Sequence, residues 1–219
     1  MQKISLGSKL NQKIGHYDMI AGIYDKFDTH YEKQIYSKMR AKYITEITNS
    51  TILEVGVGTG KNLQYYNREN KQIIAIDKSL GMIQQAIKKL NTLHPSLRRV
   101  IKLKIVPINW NLKKNNFSHI VATFVLCTND DPTELISKIY NALDENGKLV
   151  LFEWIPTRKG IRGLSLRVIN PILHYFLGVS AYRKESLKYF QKTKWKLIKK
   201  EYFGQENIAV ILTKRPLYE

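Results

Sequence analysis

The apolar positions of this chain fall in short runs separated by longer amphipathic stretches. Thr51–Val55, Gln72–Ile76, Ile101–Val106, His119–Leu126 and Lys148–Trp154 are apolar runs of strand length. The run at 119–126 is apolar throughout, as a strand covered on both faces is. Between the runs, Asn62–Tyr66, Ser79–Leu90 and Pro132–Leu143 carry helical spacing, with Gly147 read as the stop near the last helix. Strand and helix alternating at short spacing predict an α/β fold with a doubly wound, mostly parallel sheet. Two further runs, around Trp195–Lys199 and Ile208–Leu212, predict an antiparallel C-terminal hairpin at the sheet edge, making seven strands. Upstream, the pattern from Tyr17 to about Ile47 is helical. Residues 1–16 are polar and basic with Ile4, Leu6, Leu10 and Ile14 interspersed, which suits either a basic amphipathic helix on a membrane or a frayed tail. The expected organisation is one domain over 1–219: a helical cap (1–50), a ligand-binding core (51–155), a lid-like insertion (156–182) and C-terminal strands (183–219).

Composition changes this picture in two ways. The 219 residues carry a formal charge of +18, a field that attracts polyanions such as nucleic acid or an anionic membrane. The excess is mostly lysine in a chain also rich in Ile and Asn, a mixture that biased base composition produces equally well. Cys127 is the sole cysteine, so no intramolecular disulfide or cysteine metal cluster can form. His16, His30, His94, His119 and His174 are scattered along the chain, and no metal site is expected. The N-terminus lacks the apolar core of a secretory signal, and no apolar run approaches the roughly 20 residues that span a bilayer. The expectation is a cytoplasmic protein that meets membranes, if at all, from the surface.

The chemistry concentrates in Leu53-Glu54-Val55-Gly56-Val57-Gly58-Thr59-Gly60, followed by Ile73-Ile74-Ala75-Ile76-Asp77. An apolar strand breaks into a glycine turn, and the next strand ends in an acid. A parallel sheet holds a nucleoside with this arrangement: the glycines admit the ligand to the backbone, and the acid accepts from the ribose hydroxyls. The pattern is E-x-G-x-G-x-G rather than the G-x-G-x-x-G that brings a helix to a pyrophosphate, so a phosphate-free nucleoside such as S-adenosylmethionine fits it.

That glycine segment, A-T-F-V-L-C-T-N-D-D-P at 122–132 and L-D-E-N-G-K-L-V-L-F-E-W at 143–154 resemble the class I S-adenosylmethionine-dependent methyltransferases, which have a Rossmann-like fold. The opening Y-D-M-I-A-G-I-Y-D at 17–25 is similar to the quinone-biosynthesis methyltransferases and to the bacterial phospholipid N-methyltransferases. Quinone enzymes usually carry Gly-Leu-Arg-Asn on strand 4. Val125-Leu126-Cys127-Thr128-Asn129 departs from that and favours the phospholipid branch. A second departure is Pro107-Ile108-Asn109-Trp110-Asn111-Leu112, where the family has Asp-Ala and an acid at the adenine. The resemblance implies a cofactor set of Tyr17, Glu54, Gly56, Gly58, Gly60, Asp77, Lys78, Asn109, Trp110 and Phe124.

On the acceptor side the candidates are Tyr24, Asn129 and Glu153. A tyrosine face can hold a methylated ammonium, and the other two sit at the carboxyl ends of strands 4 and 5. Asp130 and Asp131 precede a Pro-initiated helix, and Asp131 reads best as its N-cap. Arg162, Arg167 and Arg183 could pair with a lipid phosphate, with the apolar residues of 156–178 admitting acyl chains, or form a solvated basic lid. The best reading is methylation of a membrane-associated lipid, phosphatidylethanolamine first. A quinone ring, RNA or a soluble small molecule are the alternatives. No Asn-Pro-Pro-aromatic motif of amino-base methyltransferases follows strand 4.

Overall fold

The computed structural model describes residues 16–27, 32–106, 114, 116–129, 131–154, 189–190, 194–203 and 207–214. They divide into two compact units, residues 1–111 and 112–219. The first begins with α1 (His16–Ile20) and α2 (Tyr24–Phe27). A π-helical turn (Glu32–Tyr36) then runs into α3 (Ser37–Tyr43). The long helical pattern at the start of the chain is therefore several short pieces. Three parallel strands follow: β1 (Thr51–Val55), β2 (Gln72–Asp77) and β3 (Ile101–Ile105). β2 lies between the other two, with Leu53 opposite Ile74 and Ala75 opposite Leu103. After β1 the chain makes only a single 3-10 turn, Leu63–Tyr65, where a helix over 62–66 was expected. α4 (Leu80–Thr92) buries Met82, Ile83, Ala86 and Leu90, the i, i+3/i+4 stripe of a sheet-covering helix. α5 (Pro95–Val100), which the apolar pattern did not reveal, starts on its proline and leads into β3.

The second unit holds β4 (Phe117–Thr123), α6 (Pro132–Ala142), β5 (Leu143–Trp154), β6 (Trp195–Phe203) and β7 (Asn207–Lys214). β4 pairs parallel to β5, and β7 pairs antiparallel to both β5 and β6. Two boundaries differ from expectation. β4 stops at Thr123 because Phe124 takes φ 54°, a left-handed conformation that ends extended structure. α6 stops at Ala142, and Gly147 lies inside β5, where a Cβ would come 2.7 Å from Cγ of Leu143.

The strand order is β3-β2-β1-β4-β5-β7-β6: a seven-stranded, mostly parallel sheet with the antiparallel hairpin β6–β7 at one edge. This is the Rossmann-like α/β fold that the alternation of runs predicted. Ile52, Leu53, Ile73, Ala75 and Ile101 are buried in the first unit, and Ile120, Val121, Leu149 and Leu151 in the second. Candidate residues Asn109, Trp110, Arg162, Arg167 and Arg183 lie outside the described residues, as do the lid-like insertion and the basic N-terminal tail.

Candidate active site at the glycine loop

β1 ends where three glycines, Gly56 (φ 72°), Gly58 (φ 54°) and Gly60 (φ 83°), turn the backbone left-handed. An L-residue enters that region at a cost, so the loop sequence follows from its shape. At Gly60 a side chain also has no room: its Cβ would lie 3.0 Å from Cα of Ala86 on α4. The N–H groups of Gly56 and Val57 both donate to the Ile76 carbonyl, at 2.9 and 3.0 Å, and fasten the loop to β2.

Asp77 organises the mouth of this loop. Its Oδ2 accepts the Gly58 N–H at 2.8 Å and its Oδ1 accepts the Ser79 N–H at 2.9 Å. Burial raises its pKa, while those two N–H groups and Lys78 work the other way. The Lys78 N–H is a third backbone donor to this carboxylate, which leaves part of its four-lone-pair capacity for a ligand hydroxyl. Lys78, next to it, is exposed.

Glu54 lies behind the loop, 1% exposed. Its Oε1 accepts from Nδ2 of Asn62 at 2.9 Å, and Oδ1 of Asn62 accepts from Nε of Arg40 at 2.6 Å. Nη1 of Arg40 is ion-paired with Glu32. Oε2 of Glu54 has no well-aligned partner, and the buried hydroxyl of Tyr66 is in the same position. Burial pushes the Glu54 carboxyl up to about 7 against the pull of Tyr66, Asn62 and Arg40. Arg40, Asn62 and Glu32 carried no motif signal; Glu32 comes from the π-helical turn, Arg40 from α3 and Asn62 from the turn after the glycines.

The cap segment 16–27 is tied to the same loop through its two aspartates. Oδ1 of Asp18 accepts from Oγ of Ser79 at 2.6 Å and from the Gly81 N–H at 2.8 Å, at the start of α4. Asp25 accepts from Thr59 Oγ1 at 2.7 Å and pairs with Lys89 at 2.5 Å. Burial works to raise its pKa, but Lys89, Thr59 and Lys61 outweigh that and hold it below the ordinary carboxylate value. Tyr17 and Tyr24 meet edge to face, ring centroids 6.3 Å apart. The ammonium of Lys61 already sits 5.9 Å from the Tyr24 ring, where a methylated ammonium was expected. The Y-D…Y-D repeat drew attention to its tyrosines; its aspartates make the connections.

In the second unit, Phe124 follows β4 and donates its N–H to the Phe152 carbonyl at 2.8 Å. Glu153 is fully buried, and its Oε1 accepts the Leu126 N–H at 2.9 Å. Its carboxylate therefore faces the backbone of the segment that carries Asn129 and supports that segment. Asn129 Oδ1 accepts the Asp131 N–H at 2.9 Å, and Asp131 caps α6 by accepting from the Glu134 N–H at 2.9 Å. The N-cap reading of Asp131 is what the structure has.

The residues present fit a phosphate-free nucleoside with a positively charged tail. The left-handed glycines leave three loop positions without side chains, Asp77 stands at the loop's mouth, and Glu54 puts a buried carboxylate behind it, one oxygen having no well-aligned partner beyond its approach to Tyr66.

Residues 53–151 match the family model described as a methyltransferase domain. The mitochondrial methyltransferase OMS1 of Saccharomyces cerevisiae is 27% identical over 168 residues, covering 67% of this chain; the match spans only 36% of the yeast protein's length. Among solved structures, a S-adenosylmethionine-dependent methyltransferase of Thermotoga maritima, described as a possible histamine N-methyltransferase, superposes with TM-score 0.67 at 17% identity, covering 91% of this chain and 99% of the other. A protein of Methanococcus maripaludis described as S-adenosylmethionine-dependent superposes with TM-score 0.66 at 20% identity, covering 96% and 98%. Over residues 53–151 this chain is thus similar to a methyltransferase domain, and its fold is that of solved S-adenosylmethionine-dependent methyltransferases.

Proposed function

We propose that the enzyme methylates a lipid at an anionic membrane surface, with the amine of phosphatidylethanolamine as the preferred acceptor. One observation carries this reading. Met19 on α1, Ile23 in the turn after it and Leu80 at the start of α4 are 73%, 47% and 42% exposed. The α1 backbone packs directly on α4, because a Cβ at Gly81 would meet the Asp18 backbone at 2.9 Å. Met19 and Leu80 are each next in sequence to a residue of that contact, and Lys78, just before α4, is exposed as well. Scattered exposed apolar residues need no explanation, but a group beside the cofactor loop of a chain with charge +18 suits shallow insertion among anionic headgroups. The attachment proposed is peripheral, and no described helix is long and apolar enough to cross a membrane.

S-adenosylmethionine, when bound, supplies a methyl group already activated on a sulfonium. The protein's share is to hold, align and exclude water. Asp77 would take the ribose hydroxyls, the glycine loop would offer its open backbone, and Glu54 would supply negative charge. An amine acceptor must arrive neutral, and Tyr24 and Asn129 are the residues proposed to receive it. The arginines Arg162, Arg167 and Arg183 are the proposed phosphate partners.

Transfer of radiolabelled methyl into a total lipid extract and into total RNA tests the reading. Label in an aminophospholipid is expected. Label in a quinone fraction would move the acceptor to a ring carbon, and label in RNA alone would make the charge a nucleic-acid signal. Label in neither would overturn the lipid reading in favour of a soluble acceptor.

A further inference from the structure

The buried carboxylate of Glu54 has neighbours on every side that bear on its charge. Arg40 comes from α3, Asn62 and Tyr66 follow the glycine loop, and Asp77 stands at the end of β2. Only one of these is a cation. Arg40 is 3% exposed, an unusual place for a guanidinium unless paired. It is paired twice, to Glu32 and to Asn62. Asn62 is itself buried and makes the bridge by using both ends of its amide. The carbonyl takes the Arg40 proton at 2.6 Å, and the amino group gives one to Glu54 at 2.9 Å. That polarity fixes the amide's orientation. With its oxygen held by a cation, its NH2 can only point at an acceptor, and the acceptor it meets is the glycine-loop acid.

We propose that Arg40 is a positioning residue for S-adenosylmethionine, acting through Asn62 to hold the Glu54 carboxylate in place and to supply its countercharge. Arg40 does not itself reach the loop. It sets the state of the buried acid behind the loop, whose second oxygen has only the Tyr66 hydroxyl beside it. The ligand carries positive charge on its sulfonium and ammonium, so it binds best when Glu54 is ionised. Burial opposes ionisation, with Asp77 adding to that opposition, and the Arg40–Asn62 relay favours it. Losing the relay therefore does more than loosen the loop: it moves the pH at which the site becomes competent.

Cofactor binding is the readout, so the outcome does not depend on which acceptor the enzyme uses. The dissociation constant of S-adenosylmethionine is measured by titration calorimetry between pH 6 and 9 on the full chain. Three variants are compared with the parent: Arg40→Gln, Arg40→Lys and Asn62→Leu. In the parent, affinity is expected to rise about tenfold across the titration of Glu54. In Arg40→Gln and Asn62→Leu the midpoint moves to higher pH by about one unit, and affinity at pH 7 falls about tenfold. Arg40→Lys, which keeps the charge without the planar fork, recovers part of the shift. Asn62→Leu cuts the bridge and leaves the Arg40–Glu32 pair whole, so it carries the test if Arg40→Gln does not fold. A folded Asn62→Leu with the parent's midpoint and affinity would overturn the proposal. So would Arg40→Gln with weakened affinity but an unmoved midpoint, since that is the mark of a merely structural role.

Discussion

Glu54 is charged or neutral at a pH where small differences matter, and two consequences run in opposite directions. Its folded pKa, about 7, is raised above the ordinary 4.5. An acid raised in this way stabilises the fold fully below about pH 4.5, and that contribution is lost as pH rises through about 7. The loss is on the order of 3 kcal/mol. His119 on β4 works in the other sense. Burial first, and Lys148 second, depress it from 6.5 to about 4, so its contribution is present above about 6.5 and lost as pH falls through about 4. The two windows overlap, and the parent's stability is expected to change little between them. The Glu54→Gln variant separates them. Relative to the parent it gains stability as pH rises from about 5 to 8, read as a widening gap in melting temperature. Cofactor affinity behaves oppositely, strengthening over the same pH range. For Asp77→Ala, whose carboxylate holds the Gly58 and Ser79 N–H groups and is the proposed partner of the ribose, a loss of cofactor affinity of tenfold or more is expected in a calorimetric titration. An unchanged affinity would remove Asp77 from the cofactor site.

At the scale of elements, the cap is held by a few close contacts rather than by a large apolar face. Gly81 is the tightest of them: its missing side chain is what lets α1 lie against the first turn of α4. Gly81→Val is therefore expected to detach the cap while the strands stay folded. Limited proteolysis would read this as rapid cleavage within 16–31 that leaves a resistant core. The strands were legible in the sequence because each is a compact apolar run. β1 came out with the bounds its pattern gave, and the two C-terminal strands with their antiparallel sense. The glycine turn and the acid after it were legible for the same reason, being local. The rest depended on partners distant in the chain. α5 is too short to show a period, and β4 ends at a left-handed Phe124 that nothing in its apolar run announces. The Arg40–Asn62–Glu54 relay joins residues 22 and 8 positions apart, each unremarkable alone.

At the scale of the whole molecule, the formal charge of +18 sets how the enzyme meets its surroundings. Attraction to anionic vesicles is expected to be strong at low salt and to fall steeply as the Debye length shrinks from about 10 Å at 0.1 M to about 3 Å at 1 M. A residue of binding that survives salt would come from the exposed apolar side chains of the cap, and Met19→Asp with Ile23→Asp should abolish it. Co-sedimentation of the full chain with vesicles of defined anionic content measures both parts.

The chain's single thiol, on Cys127, is enclosed in the fold, 3% exposed, with its Sγ 3.3 Å from the Phe124 carbonyl oxygen. A cysteine introduced at Met19 would therefore be the thiol that a brief labelling reaction finds. A polarity-sensitive dye there would shift to the blue on entering lipid, and quenchers placed at known bilayer depths would report how far the cap sinks. The same label would follow insertion in real time, so the order of membrane contact and cofactor uptake could be watched in one unpurified mixture of enzyme, vesicles and donor.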